Sequence, residues 1–229
     1  MSASWKEICR VIQGMKAIEI GGPTELFQVP TQTFYSYPLF SSIHNINNPN
    51  FHFPNNEDAD GKKVYQKIFT LESNDINMET IPDKYDILVS SHTVEHMANP
   101  IKFLITAKLL LREGGYILTV LPNKPCFWDS PRKTTTMEHL IQDYHTYTTE
   151  DDMTHLEENL QLDCPIKMMQ GYAYWESLCK NNSKTRVMHH HCFEKDNTQA
   201  MHEFAGFKTI FCEVYESDPL QILYFGQKI

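Results

Sequence analysis

The sequence predicts one α/β domain built on a parallel sheet, and three observations lead there. Short apolar runs recur at residues 16–20, 85–91 and 116–121, and each is too short and too continuous for an amphipathic helix. Turn residues bound them: Gly21-Gly22-Pro23 follows the first run, Pro82-Asp83 precedes the second, and Gly114-Gly115 precedes the third. A helical stretch opening at Asn99-Pro100 separates the second run from the third, the alternation expected of parallel strands joined by crossovers.

In chain order, a helix over residues 4–13 places Trp5, Ile8, Val11 and Ile12 on one face and stops at Gly14. The first strand, residues 16–20, carries the acidic Glu19 next to its end. Residues 28–61 are rich in Asn, Pro, Ser and aromatics; within them a second strand is expected at 42–46, followed by a loop over 47–61. A third strand is expected at 64–71 and a fourth at 85–91. The helix begun by Asn99 and Pro100 is expected to run to 111 and to end at Gly114 or Gly115, before a fifth strand at 116–121. From 124 to 192 the pattern changes to charged, histidine-rich helices and loops. A helix over 196–205 ends at Gly206, a strand follows, Ser217-Asp218-Pro219 breaks it, and a last strand covers 221–226.

This order resembles that of class I S-adenosylmethionine (SAM) dependent methyltransferases. The shared features are a glycine loop after the first strand, an "Asp, apolar strand, Ser, Glu-His, Asn-Pro" block at the fourth, and a "Gly-Gly, strand, Pro-Asn" block at the fifth, together covering residues 16–123. The resemblance implies a Rossmann-like, mostly parallel sheet with an antiparallel last strand, helices on both faces, and SAM as cofactor. It also marks residues 124–192 as an inserted substrate lid within a single domain of residues 1–229, of a kind associated with sugar and surface-glycan biosynthesis. O-methylation of a sugar, nucleotide sugar or glycan intermediate is therefore the expected function. The rival expectation is a SAM-binding partner protein without catalysis, since the loop lacks a full Gly-x-Gly-x-Gly.

In a sheet wound this way the ligand lies beyond the carboxyl ends of the strands. Gly21, Gly22, Pro23 and Thr24 would pass beneath the methionine part of SAM. Glu19 would either hold its ammonium group or accept N–H groups of the loop. Where relatives end strand two with a carboxylate on the ribose hydroxyls, this chain offers Asn45 and Asn47, and an amide provides only one acceptor and one donor face. Asp75, after strand three, is the candidate for the adenine amine, or else a solvated turn residue. Ser91 and His92 close the edge.

His92-x-x-Glu95-His96 also matches a reversed zinc-peptidase motif, but that chemistry needs a long helix through residues read here as strand and turn. Related O-methyltransferases of the ubiquinone pathway carry Glu, Glu and His at these positions and can bind a divalent ion; with His92 in the first place, no metal is expected, and His92 would line the methyl-transfer pocket. The insertion supplies the main acid/base candidates, and His139 or His155 is expected to remove the acceptor's proton. His139 and Asp143 share a helix face at i and i+4, and His155 and Glu158 are three apart on an expected helix within 149–158. The triplet His189-His190-His191 reads as a loop against strand ends. Tyr172, Tyr174 and Trp175 could stack on a sugar or fill the space beneath the lid.

Composition narrows the field. With 41% apolar residues, 229 residues suffice for one large core. Twenty basic against 29 acidic residues give a net charge of −9, which argues against nucleic acid as a partner and leaves a small molecule or carbohydrate. The amino-terminal residues are charged where a signal peptide needs an apolar core, so a cytoplasmic protein without a membrane span is expected. The six cysteines show no Cys-x-x-Cys spacing and read as free thiols.

Overall fold

The computed structural model describes residues 2–47, 67–70, 81 and 83–229. Among the described residues, seven strands form one sheet: β1 (Lys16–Ile20), β2 (Ser42–Asn47), β3 (Lys67–Thr70), β4 (Tyr85–Ser91), β5 (Leu111–Pro122), β6 (Phe207–Val214) and β7 (Gln221–Lys228). Their order is β3-β2-β1-β4-β5-β7-β6. The pairs from β3 to β5 are parallel, whereas β7 runs antiparallel to both β5 and β6. This is the mostly parallel sheet with an antiparallel closing strand that the sequence predicts.

Both faces are covered. On one, α1 (Ala3–Ile12) buries Trp5, Ile8 and Ile12 against Ala17, Ile43, Val89 and Leu118, and Phe27, Phe34 and Tyr37 complete the layer. The Ser2 hydroxyl caps α1 by accepting from the Trp5 amide at 3.1 Å. Phe27 belongs to α2 (Glu25–Gln28), a short helix the sequence reading missed. On the other face, α3 (Pro100–Lys108), α4 (Met137–Thr146) and α9 (Lys195–Phe204) set Ile101, Leu104, Leu140 and Met201 against Ile18, Leu88, Ile117 and Ile222. Asn99 caps α3 as expected, its Oδ1 accepting from the Lys102 amide at 3.0 Å.

The helix α3 ends earlier than its expected limit of 111, because Leu111 already pairs with Tyr85 as the first residue of β5. The register then jumps so that Ile87 faces Tyr116. Gly114 and Gly115 therefore sit in an irregular stretch inside a strand instead of terminating a helix, and Gly114 takes a φ of +67°.

The insertion lies between β5 and β6. After α4 come α5 (Leu156–Gln161), α6 (Pro165–Gln170), α7 (Tyr172–Lys180) and α8 (Asn182–Thr185). Leu160, Cys164, Trp175, Cys179 and Met188 give it a small core separate from the sheet layers. Trp175 is buried there and donates its indole N–H to the Asn159 carbonyl at 3.0 Å, whereas Tyr172 and Tyr174 are exposed. No helix over 149–158 forms: α5 starts at Leu156, with His155 at its N-cap position. All six cysteines are free. Among the described residues no helix is long and apolar enough to cross a membrane.

Candidate active site

The turn after β1 is built around Glu19. This side chain is fully buried, and both of its oxygens are used by its own neighbourhood. Oε1 accepts from the Thr24 amide at 3.1 Å and the Thr24 hydroxyl at 2.8 Å, while Oε2 accepts from the Tyr37 hydroxyl. Burial pushes the Glu19 carboxyl up to about 7, although the Tyr37 and Thr24 hydrogen bonds oppose this. In this geometry Glu19 shapes the loop from within.

The two glycines make that packing possible. A Cβ on Gly22 would meet the Glu19 carboxyl carbon at 2.0 Å, so the carboxylate occupies the space where a side chain would be. Gly21 has a φ of +84°, and a Cβ there would meet Thr93 Oγ1 at 2.1 Å. The Gly21 amide donates to the Ile46 carbonyl of β2 at 3.0 Å, and Ser90 Oγ donates to the Ile20 carbonyl at 2.9 Å, tying together the carboxyl ends of three strands. The result is a bare backbone loop at the point where strand order reverses, the place at which a wound sheet receives a ligand.

Asn45 pairs in register with Glu19 and is fully buried, and neither its amide oxygen nor its amide nitrogen has a hydrogen-bond partner. Asn47 is the last residue of β2 and so takes the strand-end position. Asp75 lies outside the described residues.

His92 follows β4 on the same edge. Its backbone is in the left-handed region, with φ +48°, which an ordinary side chain adopts only at some cost. Its Nε2 lies 2.7 Å from Gln221 Oε1, and its Nδ1 is 3.4 Å from the buried carboxylate of Glu95. Burial disfavours the imidazolium, but Glu95 outweighs it and holds the His92 pKa above its ordinary value. Glu95 itself, despite burial that would raise it, is drawn down to about 2 by His92 and the neighbouring histidines. Ser91 is buried beneath, its carbonyl accepting from the Thr93 hydroxyl at 3.0 Å.

Phe127 stands 5.8 Å from the His92 ring, with Trp128 packed on Phe127 at 4.0 Å between centroids. The residues between β4 and α3 form a single 3-10 turn, Val94–His96, so the long helix of a zinc peptidase is absent. The cluster of potential ligands here is Glu95, His96 and His189, not the triad with His92. His92 turns Nε2 toward Gln221 and Nδ1 toward Glu95, so its place beside Glu95 is that of an ion-pair partner.

The insertion brings His139 and His155 together in a second cluster, while His189 packs on His96. His139 Nε2 faces His155 Nε2 at 3.2 Å and Asp143 Oδ2 at 3.3 Å, and His155 Nδ1 lies 3.5 Å from Glu158 Oε2. The triplet of histidines is buried: His189 Nδ1 bonds Asp129, His190 Nε2 bonds Asn182 at 2.9 Å, and His191 joins His139 and His155. Arg132, buried as well, donates to the carbonyls of His189 and His190 at 2.8 and 3.2 Å. Asp129, Arg132, Thr93 and Tyr37 escaped sequence reasoning, because the contacts that bring them to the site are with residues distant in sequence: His189 for Asp129 and Arg132, Gly21 for Thr93, and Glu19 for Tyr37.

A methyltransferase domain profile matches residues 10–165. The chain belongs to this methyltransferase family, and its cofactor is SAM. Solved structures agree at the level of the fold. An S-adenosylmethionine dependent methyltransferase from Mesorhizobium loti superposes with a TM-score of 0.52 at 12% identity, covering 99% of each chain. An O-methyltransferase family 2 protein from Planctomyces limnophilus, solved with apigenin, gives 0.53 at 10% identity over 95% of this chain and 50% of the other. The CurJ carbon methyltransferase gives 0.51 at 12% identity over 94% and 48%. The chain thus spans about half the length of these last two. No curated protein sequence matches. The Gly21-Gly22 loop fits the cofactor by position, because it leaves the carboxyl end of β1 at the switch in strand order, with Glu19 and Thr93 packed against its glycines.

Proposed function

We propose that the chain transfers the methyl group of SAM to a hydroxyl, with His92 as the base, and that the hydroxyl belongs to a sugar, nucleotide sugar or glycan intermediate. The observation that carries this reading is the His92–Glu95 pair on the cofactor edge. When bound, SAM supplies an electrophilic methyl group. A hydroxyl becomes a good nucleophile only as its proton leaves, and an imidazole backed by a buried carboxylate suits that task. Glu95, 3.4 Å from Nδ1, favours the tautomer with its proton on Nδ1; Nε2 takes the proton of the acceptor once the acceptor hydroxyl displaces Gln221 Oε1, which at 2.7 Å can only accept from Nε2–H.

His139 and His155 direct their Nε2 atoms at each other, and for that reason the base is placed on His92 rather than on them. Phe127 and Trp128 support a sugar acceptor, since aromatic faces beside the base offer the apolar wall on which a sugar ring stacks. Glu19, Thr24 and Gly22 keep the loop rigid, so that cofactor and acceptor meet in one geometry.

The test is calorimetry with SAM, followed by transfer of labelled methyl from SAM to a panel of sugars and nucleotide sugars. Binding without transfer to any hydroxyl would refute the reading, as would turnover that survives His92→Gln.

A further inference from the structure

Behind the cofactor edge, three elements of the insertion and its return converge on one point. His139 and Asp143 come from α4, His155 from the entry to α5, and His191 from the chain leading into α9. One ring nitrogen from each histidine lies within 4.8 Å of the other two. Asp143 Oδ2 is 3.3 Å from His139 Nε2, and His191, whose Nε2 is engaged by the Ala98 carbonyl, offers Nδ1 as its ligand atom. In a tetrahedral zinc site, bonds of about 2.0–2.1 Å place ligand atoms about 3.3–3.4 Å apart. The distances of 3.2 Å between His139 and His155 and 3.3 Å between His139 and Asp143 match such edges.

The hydrogen bonding around the cluster is incomplete. Asp143 Oδ2 is buried and has no hydrogen-bond partner, and the same holds for His191 Nδ1. His191 is 1% exposed, so water does not satisfy that nitrogen from bulk solvent. Buried lone pairs left unmatched are costly, and several converging on one point are what a cation requires.

The surroundings have the character of an outer shell. Ligating histidines usually bond their second nitrogen to a carboxylate or carbonyl, which fixes the ring. His155 Nδ1 faces Glu158, which Arg132 holds at 2.9 Å, and His191 Nε2 bonds the Ala98 carbonyl at 3.2 Å. Asp143 Oδ1 accepts from the Thr148 hydroxyl at 3.0 Å.

We propose that His139, His155, His191 and Asp143 form a four-coordinate zinc site that locks the insertion onto the core beside α3. Three imidazoles and one carboxylate suit zinc, and four protein ligands leave no open position for chemistry. The attachment is direct: Ala98 and Asn99 lead into α3, and the Asn99 amide donates to the Asp143 carbonyl at 2.8 Å. The site is independent of the methyl-transfer reading, because neither His92 nor Glu95 belongs to it.

The experiment uses the whole chain. Elemental analysis of the purified protein is expected to show about one zinc per chain, and replacement by cobalt(II) to give the intense visible bands of four-coordinate geometry. His139→Gln and Asp143→Asn should each reduce zinc to about a tenth of that or less, whereas His96→Gln, in the separate Glu95–His96–His189 group, should leave it unchanged. Chelation should open residues 124–192 to protease, and added zinc should close them again. SAM calorimetry on each variant reports whether the core remains folded. The proposal is overturned if the unmodified protein takes up neither zinc nor cobalt, if the cobalt spectrum lacks four-coordinate bands, if His139→Gln keeps its zinc, or if His96→Gln loses it. Should His139→Gln fail to fold, Asp143→Asn and the cobalt spectrum still decide.

Discussion

Replacing Glu19 by Gln separates what this residue does for the fold from what it does for the cofactor. Burial raises the Glu19 carboxyl from an ordinary 4.5 to about 7, so the folded protein holds its proton more tightly than the unfolded chain. The associated stability is complete below about 4.5 and is lost as pH rises through about 7. That displacement corresponds to about 3 kcal/mol against the fold at high pH. Gln has nearly the same shape and no charge, but it has one acceptor where the Thr24 amide, Thr24 hydroxyl and Tyr37 hydroxyl now meet two. Losing a hydrogen bond there costs about 1 kcal/mol, so Glu19→Gln should stabilise the protein by about 2 kcal/mol near pH 8 and destabilise it by about 1 kcal/mol near pH 4.5. Urea unfolding across this range is the assay, with SAM calorimetry alongside. A stability difference that does not change with pH would refute the buried-acid account. A large loss of SAM affinity in the stabilised variant would instead show that the carboxylate reaches the cofactor.

Gly21→Ala should cost about 1–3 kcal/mol by thermal unfolding, because it combines a positive φ with a collision at Thr93; adding Thr93→Ala should recover part of the loss but not SAM affinity. Asn47→Asp, at the end of β2, should tighten SAM binding by about 1 kcal/mol in calorimetry, whereas Asn45→Asp should destabilise the fold by about 3 kcal/mol or more, since it buries a charge beside Glu19. His92→Gln should lower turnover about 10²- to 10⁴-fold with SAM affinity retained. The raised pKa of His92 places the rising limb of the pH–rate profile above the ordinary 6.5, and Glu95→Gln should move that limb to lower pH; a limb that stays in place would remove Glu95 from the mechanism.

The interior strands were legible in the sequence because β1, β4 and β5 are buried on both faces and therefore read as unbroken apolar runs. The α3 start was legible because Asn99 and Pro100 act locally. What failed was non-local. The start of β5 at Leu111 is set by pairing with Tyr85, and nothing in the local pattern distinguishes that residue from the last turn of a helix. His139 and Asp143 were visible as an i, i+4 pair, but their convergence with His191, 48 residues beyond Asp143, depends on how the insertion folds back. Trp175 was grouped with Tyr172 and Tyr174 by sequence adjacency, yet helical geometry turns it inward and leaves the two tyrosines outside.

The place of β7 in the sheet has a consequence for synthesis. This strand is made last of the seven, yet it lies between β5 and β6, its seven register partners on each side spanning 116–122 and 207–214. Until residues 221–228 have left the ribosome, β5 has an open edge, and β6 has no strand to join. The nascent chain must therefore hold a sticky apolar half-sheet through the translation of the whole insertion, and a stall or cleavage before residue 221 would leave an aggregation-prone product rather than a smaller working protein.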